Sequence, residues 1–361
     1  MLEPLIKQLI ARQSLDEEEV RVAVELLAAE TISVALKAEF LSALALKGET
    51  AAEISAFVRA LYDKSIRLPL DAGTRAAEIL DVVGTGGDRL GTFNISTTTA
   101  ILCAAAGVMV AKHGNRAVTS QAGSADVLDA LGIPTNLSPV EAARSLVEKK
   151  FTFLFAPNFH PAFKHIGPAR KLCAERGHRT LFNYLGPLLN PARPSVMLVG
   201  TSRPELCEPL AQSLQTLGVR RAMVVCGTVP VPGASDAFLD ELSTLGDNTI
   251  AEFYQERGFT VSTLKPDQFP IQPAVLADLI GGDKFQNAEM VRKILQGQDK
   301  GPRRDAVLFN SAAALFVAGK AKSLMEGWAL AEETIDSGKA GAKLKELARP
   351  RAESPEFDSP G

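Results

Sequence analysis

The first 65 or so residues of the chain are patterned for helices. Apolar residues recur at three- and four-residue spacing in LIKQLI and VRVAVELL, which places them on one helical face. Ser14-Leu15-Asp16-Glu17 and Thr50-Ala51-Ala52-Glu53 predict helix starts, because the hydroxyl bonds an amide of the first turn while the glutamate reaches back. Residues 1 to about 65 hold no convincing strand. A helical unit of that length has little core of its own and must pack on the rest of the chain, on another subunit, or on both. The stretch around Arg67-Leu68-Pro69-Leu70-Asp71-Ala72-Gly73 reads as a connection. Beyond it, short β-rich runs (ILDVV, VMVAK, FTFLFA, SVMLVG, AMVVC) alternate with helical segments, the mark of a mostly parallel sheet flanked by helices. From about 275 to 348 the pattern is helical again, and FNSAAALFVAGKA reads as a small-residue helix able to pack closely on the sheet. The end, from Arg349 to Gly361, is rich in proline and reads as a disordered tail.

The expected fold class is therefore α/β. A small all-helical N-terminal domain (1–70) joins a larger mostly parallel-sheet α/β domain (75–348), followed by the tail (349–361). With 361 residues, 46% hydrophobic and 22% charged, the chain can bury a sizeable core. A net charge of −3 offers no basic field for nucleic acid or an anionic membrane surface. No uncharged apolar stretch is long enough to span a bilayer, and the N-terminus spreads its charge too evenly for a signal peptide. Cys103, Cys173, Cys207 and Cys226 are widely spaced, so reduced thiols and a cytoplasmic location are expected.

Two glycine-punctuated loops follow predicted strands. Gly84-Thr85-Gly86-Gly87-Asp88 comes directly after ILDVV, where glycines admit positive φ and successive amides form an anion nest. Asn94-Ile95-Ser96-Thr97 then opens a helix, adding amides and hydroxyls. This is neither G-x-G-x-x-G nor G-x-x-x-x-G-K-[ST], so the dinucleotide and Walker readings fail on spacing. Lys112-His113-Gly114-Asn115-Arg116-Ala117-Val118-Thr119-Ser120 follows the next strand and supplies two cations and further hydroxyls, with Ser124 beyond. Two such loops suggest one crevice at the strand C-termini, holding a ligand with several phosphates. Taken singly, each of these cations is as readily a solvated surface charge. Asp240-Glu241, after a Pro- and Gly-rich loop, is an acidic pair able to hold Mg²⁺ with water and phosphate oxygens; without the phosphate loops it would read as a surface pair. His160, His165 and His178 read as structural or surface residues, and no nucleophile set stands out.

GTGGD, TFNIST, KHGNRAVTS, GSADVLDALG, RTLFNYLGPLLNPARP, DELS and RDAVLFNSAAALFVAGKA occur in that order, and in this the chain resembles the anthranilate phosphoribosyltransferases over nearly its whole length. The resemblance implies a nucleoside phosphorylase/phosphoribosyltransferase-like fold and a homodimer, with helical segments around 165–190 packing on the N-terminal domain. It implies transfer of the phosphoribosyl group of phosphoribosyl pyrophosphate (PRPP) to the amine of anthranilate, with Mg²⁺, in tryptophan biosynthesis. It places PRPP against Gly84, Gly87, Asp88, Thr92, Asn94, Ile95, Ser96, Thr97, the run Lys112, His113, Gly114, Asn115, Arg116, Ala117, Val118, Thr119, Ser120, and Ser124. Anthranilate falls near Gly84, Asn115 and Arg170, and Mg²⁺ near Ser96, Asp240 and Glu241. Lys112 and Asn115 are the catalytic candidates. The link from Arg170 to Thr180 and the loop before Asp240 are longer than usual for the family, and Phe238-Leu239 stands where a glycine and an apolar residue are common. A pyrimidine nucleoside phosphorylase shares the architecture, but its KHSTGG-like loop is not matched by Asn115-Arg116. A nucleic-acid-binding paralogue would need a basic face.

Overall fold

The computed structural model describes residues 2–117, 121–231, 233–254 and 258–348. Val118, Thr119, Ser120 and the proposed tail from Arg349 lie outside the described residues.

Four helices open the chain: Leu2–Ile10, Glu17–Ala28, Val34–Lys47 and Ala51–Asp63. The Thr50/Glu53 capping box forms as expected. The earlier cap is Asp16, not Ser14: its carboxylate accepts from the Glu19 amide and Glu19 returns the bond, so the helix begins at Glu17. Helix Phe163–Glu175 packs on Val34–Lys47.

The sheet contains β1 (Ile79–Gly84), β2 (Met109–Gly114), β3 (Phe151–Phe155), β4 (Val196–Gly200), β5 (Arg221–Val229), β6 (Ala237–Leu239), β7 (Asn248–Tyr254) and β8 (Gly258–Leu264). Its order is β3-β2-β1-β4-β5-β7-β8, with β6 also pairing β5. The first five strands in that order are mutually parallel, and each coincides with an apolar run of the sequence. The pairs β5–β6, β5–β7 and β7–β8 are antiparallel.

Alternation along the strands divides the core. Val196, Leu198, Met223 and Val225 face one side, with helix Pro302–Val317 among their neighbours. Met197, Val199, Ala222 and Val224 face the other and share a continuous cluster with Leu9, Val24, Phe40 and Phe57 of the N-terminal helices. The small helical unit thus completes its core on the sheet. The parallel strands β1, β2 and β4 all end at one edge, and the loops from that edge carry the glycine and basic motifs.

Candidate active site

Three glycines on neighbouring strands form a flat shelf at this edge. Gly84 of β1 lies opposite Gly200 of β4, and Gly227 sits on β5 beyond. A Cβ on Gly84 would overlap Asp240 Oδ2, a Cβ on Gly200 would overlap the Asp240 carbonyl, and one on Gly227 would meet Ser243 Cβ at 2.5 Å. The chain from Asp240 to Ser243 lies across the strand ends only because these side chains are missing. The β5–β6 pairing delivers it there: Leu239 lies opposite Gly227, and the acidic pair follows directly. Asn310 grips Leu242 through both its amide and its carbonyl (2.9 and 3.0 Å), and Asn248 Oδ1 accepts from the Ser243 amide at 2.7 Å.

Asp240 and Glu241 are thereby fixed under the first loop. Asp240 Oδ2 accepts from the Gly86 amide at 2.6 Å, and Glu241 Oε1 accepts from the Ser96 amide at 3.1 Å. Burial pushes both carboxyls up, Glu241 to about 7, and the repulsion of Asp88 and Glu241 raises Asp240 further. Two half-buried acids that repel each other, beside a hydroxyl (Ser96), are a donor set that fits a hard divalent cation. Among the described residues no group of three or more His, Cys, Asp or Glu side chains is arranged to hold a metal. The protein therefore offers a partial ligand set, the kind Mg²⁺ completes with water and phosphate oxygens.

Lys112 lies beneath. Its side chain is buried, and Nζ donates to the Val82 carbonyl at 2.6 Å and to Ser96 Oγ at 3.2 Å. Burial lowers its pKa, while Asp81, Glu241 and Asp240 oppose that. Asp81 is itself fully buried, held by Asn190 Nδ2 at 2.8 Å, and burial raises it to about 6.

The other predicted residues divide by what their side chains face. Gly86 and Gly87 have φ of 73° and 81°, the left-handed region that the nest requires. Asp88 caps its own loop through the Leu90 amide at 3.1 Å. Thr92 bridges to Ile280, and Asn94 accepts from Asn287 Nδ2 at 2.9 Å, so the C-terminal helices brace the loop. Ile95 and Thr97 point into the core, leaving only their backbone for a ligand. His113 likewise turns its side chain inward. Strand alternation turns it away from Lys112, and its ring nitrogen Nδ1 pairs with the Gly186 carbonyl at 3.2 Å. Asn115 and Arg116 are exposed beyond β2, Asn115 Oδ1 accepting from the Arg116 amide at 2.8 Å. The Arg116 guanidinium does not stand free for phosphate: it pairs with Asp126 and Asp129, each at 2.8 Å.

A second wall runs from β2 to Arg170. His113 stacks edge-on to His160 (5.2 Å), His160 to Phe163 (5.5 Å), and Phe163 to Phe182 (5.5 Å). Arg170 lies over Phe182 at 5.7 Å and donates to its carbonyl at 3.2 Å. Arg170 is half-buried, and that burial lowers its pKa. The wall gathers one cation and several rings at the same edge as the acidic pair.

Residues 3–65 match the model described as "Glycosyl transferase family, helical bundle domain", and residues 76–341 the one described as "Glycosyl transferase family, a/b domain". The chain is 42% identical over 349 residues to the anthranilate phosphoribosyltransferase of Syntrophomonas wolfei subsp. wolfei, covering 96% of this chain and 97% of that one. The chain belongs to the anthranilate phosphoribosyltransferase family. Its counterpart from Shewanella sp. (strain ANA-3) is 41% identical over 355 residues, covering 98% of this chain and 99% of that one. Among solved structures, the Thermus thermophilus anthranilate phosphoribosyltransferase superposes with a TM-score of 0.84 at 41% identity, covering 95% of this chain and 98% of that one. The Saccharomyces cerevisiae anthranilate phosphoribosyltransferase in complex with PRPP and Mg gives 0.82 at 28% identity, covering 96% of each chain.

Sequence reasoning missed Asp81, Asn190, Asn287, Asp126 and the aromatic wall. Asp81 is the third residue of β1, and its place inside the apolar run ILDVV was a local sign of burial that went unused. Asn287 and Asn190 bond residues 193 and 109 positions away, a range at which spacing carries no signal. Asp126 had a local sign: it lies three residues after Gly123 in Gly-Ser-Ala-Asp, the position from which a carboxylate caps the helix entry.

Proposed function

We propose that this family member transfers the phosphoribosyl group of PRPP to the amine of anthranilate, forming N-(5-phosphoribosyl)anthranilate and pyrophosphate. The observation that carries the reading is the glycine shelf: it seats Asp240 and Glu241 between the nest at Gly86–Gly87 and the buried ammonium of Lys112. That arrangement suits a pyrophosphate leaving group. In this reading the donor lies against Gly84, Gly87, Asp88, Thr92, Asn94 and Ser96, the backbones of Ile95 and Thr97, the end of β2 with Asn115 and Ala117, and Ser124. Ser96, Asp240 and Glu241 would hold Mg²⁺, which neutralises charge on the diphosphate when bound. Lys112 supplies positive charge from beneath, and the loop amides donate to oxygens whose charge grows as the C–O bond breaks. These donors are fixed before reaction, so little reorganisation is needed.

The acceptor lies along the aromatic wall. Arg170 faces its carboxylate through a charge-assisted pair, and the rings beside it pack on the benzene face. Gly84 and Asn115 lie between the two substrates and align amine with ribose carbon, the second source of rate. An aromatic amine is neutral at pH 7, so no strong base is required. The protein acts as a homodimer in the cytoplasm, and Ile10 and Leu46, 69% and 66% exposed on two mutually packed helices, offer an apolar face for the partner copy. The test is loss of anthranilate fluorescence on adding PRPP and Mg²⁺, run beside phosphate-dependent nucleoside cleavage. Consumption only in the first assay supports the reading; consumption only in the second refutes it.

A further inference from the structure

The chain leaving β2 and the entry to helix Ser124–Ala130 are tied together by one carboxylate. Asp126 Oδ2 accepts from the Ala117 amide at 2.9 Å and from the Gly123 amide at 3.0 Å. Its other oxygen, Oδ1, accepts from Arg116 Nη1 at 2.8 Å. Arg116 Nη2 donates to Asp129 Oδ2 at 2.8 Å, and Thr135 Oγ1 donates to the second Asp129 oxygen at 2.6 Å. The guanidinium also lies 5.6 Å from the centre of the Phe155 ring, at the end of β3. Both terminal nitrogens are thus committed to carboxylates, and one face to an aromatic ring. The two chain segments run so close that a Cβ on Gly123 would overlap the Ala117 nitrogen. Burial alone would raise the Asp126 carboxyl, but the two amides and Arg116 outweigh it and hold it below the ordinary range.

An arginine that served as a phosphate ligand would have its fork open toward the crevice. This one is closed on the helix that follows. An exposed ion pair by itself contributes little, but here the same carboxylate also fixes two backbone amides, so the pair belongs to a network. We propose that Arg116 is a positioning residue rather than a phosphate ligand: with Asp126 and Asp129 it locks the exit of β2 onto the following helix, presetting Asn115 and Ser124 for the donor. The inference rests on the reading of this crevice as the PRPP site.

Asp126→Asn is a selective probe. An amide turned with its oxygen toward Ala117 and Gly123 keeps both backbone bonds and presents NH₂ to Arg116, releasing only the guanidinium. Calorimetric titration with PRPP and Mg²⁺ is run on the wild type, Arg116→Ala, Arg116→Lys, Asp126→Asn and the Arg116→Ala/Asp126→Asn double variant. A lock predicts that each single variant weakens donor binding by about three- to ten-fold and that the double variant is no weaker than the worse single. It predicts that Arg116→Lys behaves like Arg116→Ala, because an ammonium cannot fork across two carboxylates. The thermal midpoint stays close to that of the wild type, which separates positioning of the donor from general loss of fold. A hundred-fold loss in Arg116→Ala with none in Asp126→Asn, recovery in Arg116→Lys, additive losses, or no loss in any variant overturns the inference while leaving the donor site standing. No heat from the wild type overturns both.

Discussion

Gly84→Ala tests the shelf on which the acidic pair rests. The new methyl would overlap Asp240 Oδ2 and lie 2.8 Å from its Cγ and 3.0 Å from its carbonyl oxygen, where ordinary contact begins at 3.4 Å. The Asp240 backbone cannot retreat, since Gly200 and the Asn310 anchor confine it from behind. The carboxyl must therefore swing by roughly 1 Å, losing its 2.6 Å bond from the Gly86 amide. Overpacking of this kind destabilises by about 1–3 kcal/mol. The larger effect falls on turnover, because a misplacement of about 1 Å in a positioned group reduces rate on the order of 100-fold. The assay is kcat as a function of Mg²⁺ concentration, with thermal unfolding alongside. The expected result is a higher Mg²⁺ requirement and a kcat lower by one to two orders of magnitude, with the fold retained. Unchanged kcat and Mg²⁺ dependence would refute the placement of Asp240 at the reaction centre.

Three further outcomes follow from the same geometry. Arg170→Ala should raise the anthranilate KM by ten-fold or more, on the order of a charge-assisted pair, with little change for PRPP; equal losses for both would remove Arg170 from the acceptor side. Asp240→Asn with Glu241→Gln should raise the Mg²⁺ concentration needed for half-maximal rate, and an unaltered requirement would exclude these residues from metal binding. Asp81→Asn should change how stability depends on pH. The buried carboxyl titrates at about 6 rather than the ordinary 3.8, so the folded protein keeps a proton that the unfolded chain has lost. The associated stability is complete below about 3.8, is lost as pH rises through about 6, and amounts to about 3 kcal/mol. Denaturant unfolding of Asp81→Asn relative to wild type should shift by about that much in favour of the variant between pH 4 and 7; parallel curves would contradict it.

How legible the molecule was depends on the range of the forces involved. The five parallel strands announced themselves because each is largely buried and so reads as a near-continuous apolar run, broken in β1 and β2 only by Asp81, Lys112 and His113. The antiparallel β6–β8 did not: β8 lies at the sheet edge with its residues largely exposed, and no periodicity marks it. The cap at Asp16 was misplaced by two residues, since Ser14 and Asp16 are both competent caps and tertiary packing chooses between them. In the site, the glycine and basic motifs stood out because each lies within one short stretch of chain. Which way Lys112 and His113 point did not, although strand alternation already required them to diverge. The committed partners of Arg116 lie 10 and 13 residues downstream, and the depth at which Asp81 is buried is a property of the assembled sheet.

The most direct test of the whole account is calorimetric titration of the purified wild-type protein with PRPP, with and without Mg²⁺, against ribose 5-phosphate as control. One donor molecule bound per chain, tightened by Mg²⁺ and far stronger than the control, is the expected result. No heat from PRPP, or equal binding of the sugar lacking pyrophosphate, would contradict the claim that these two loops grip a diphosphate.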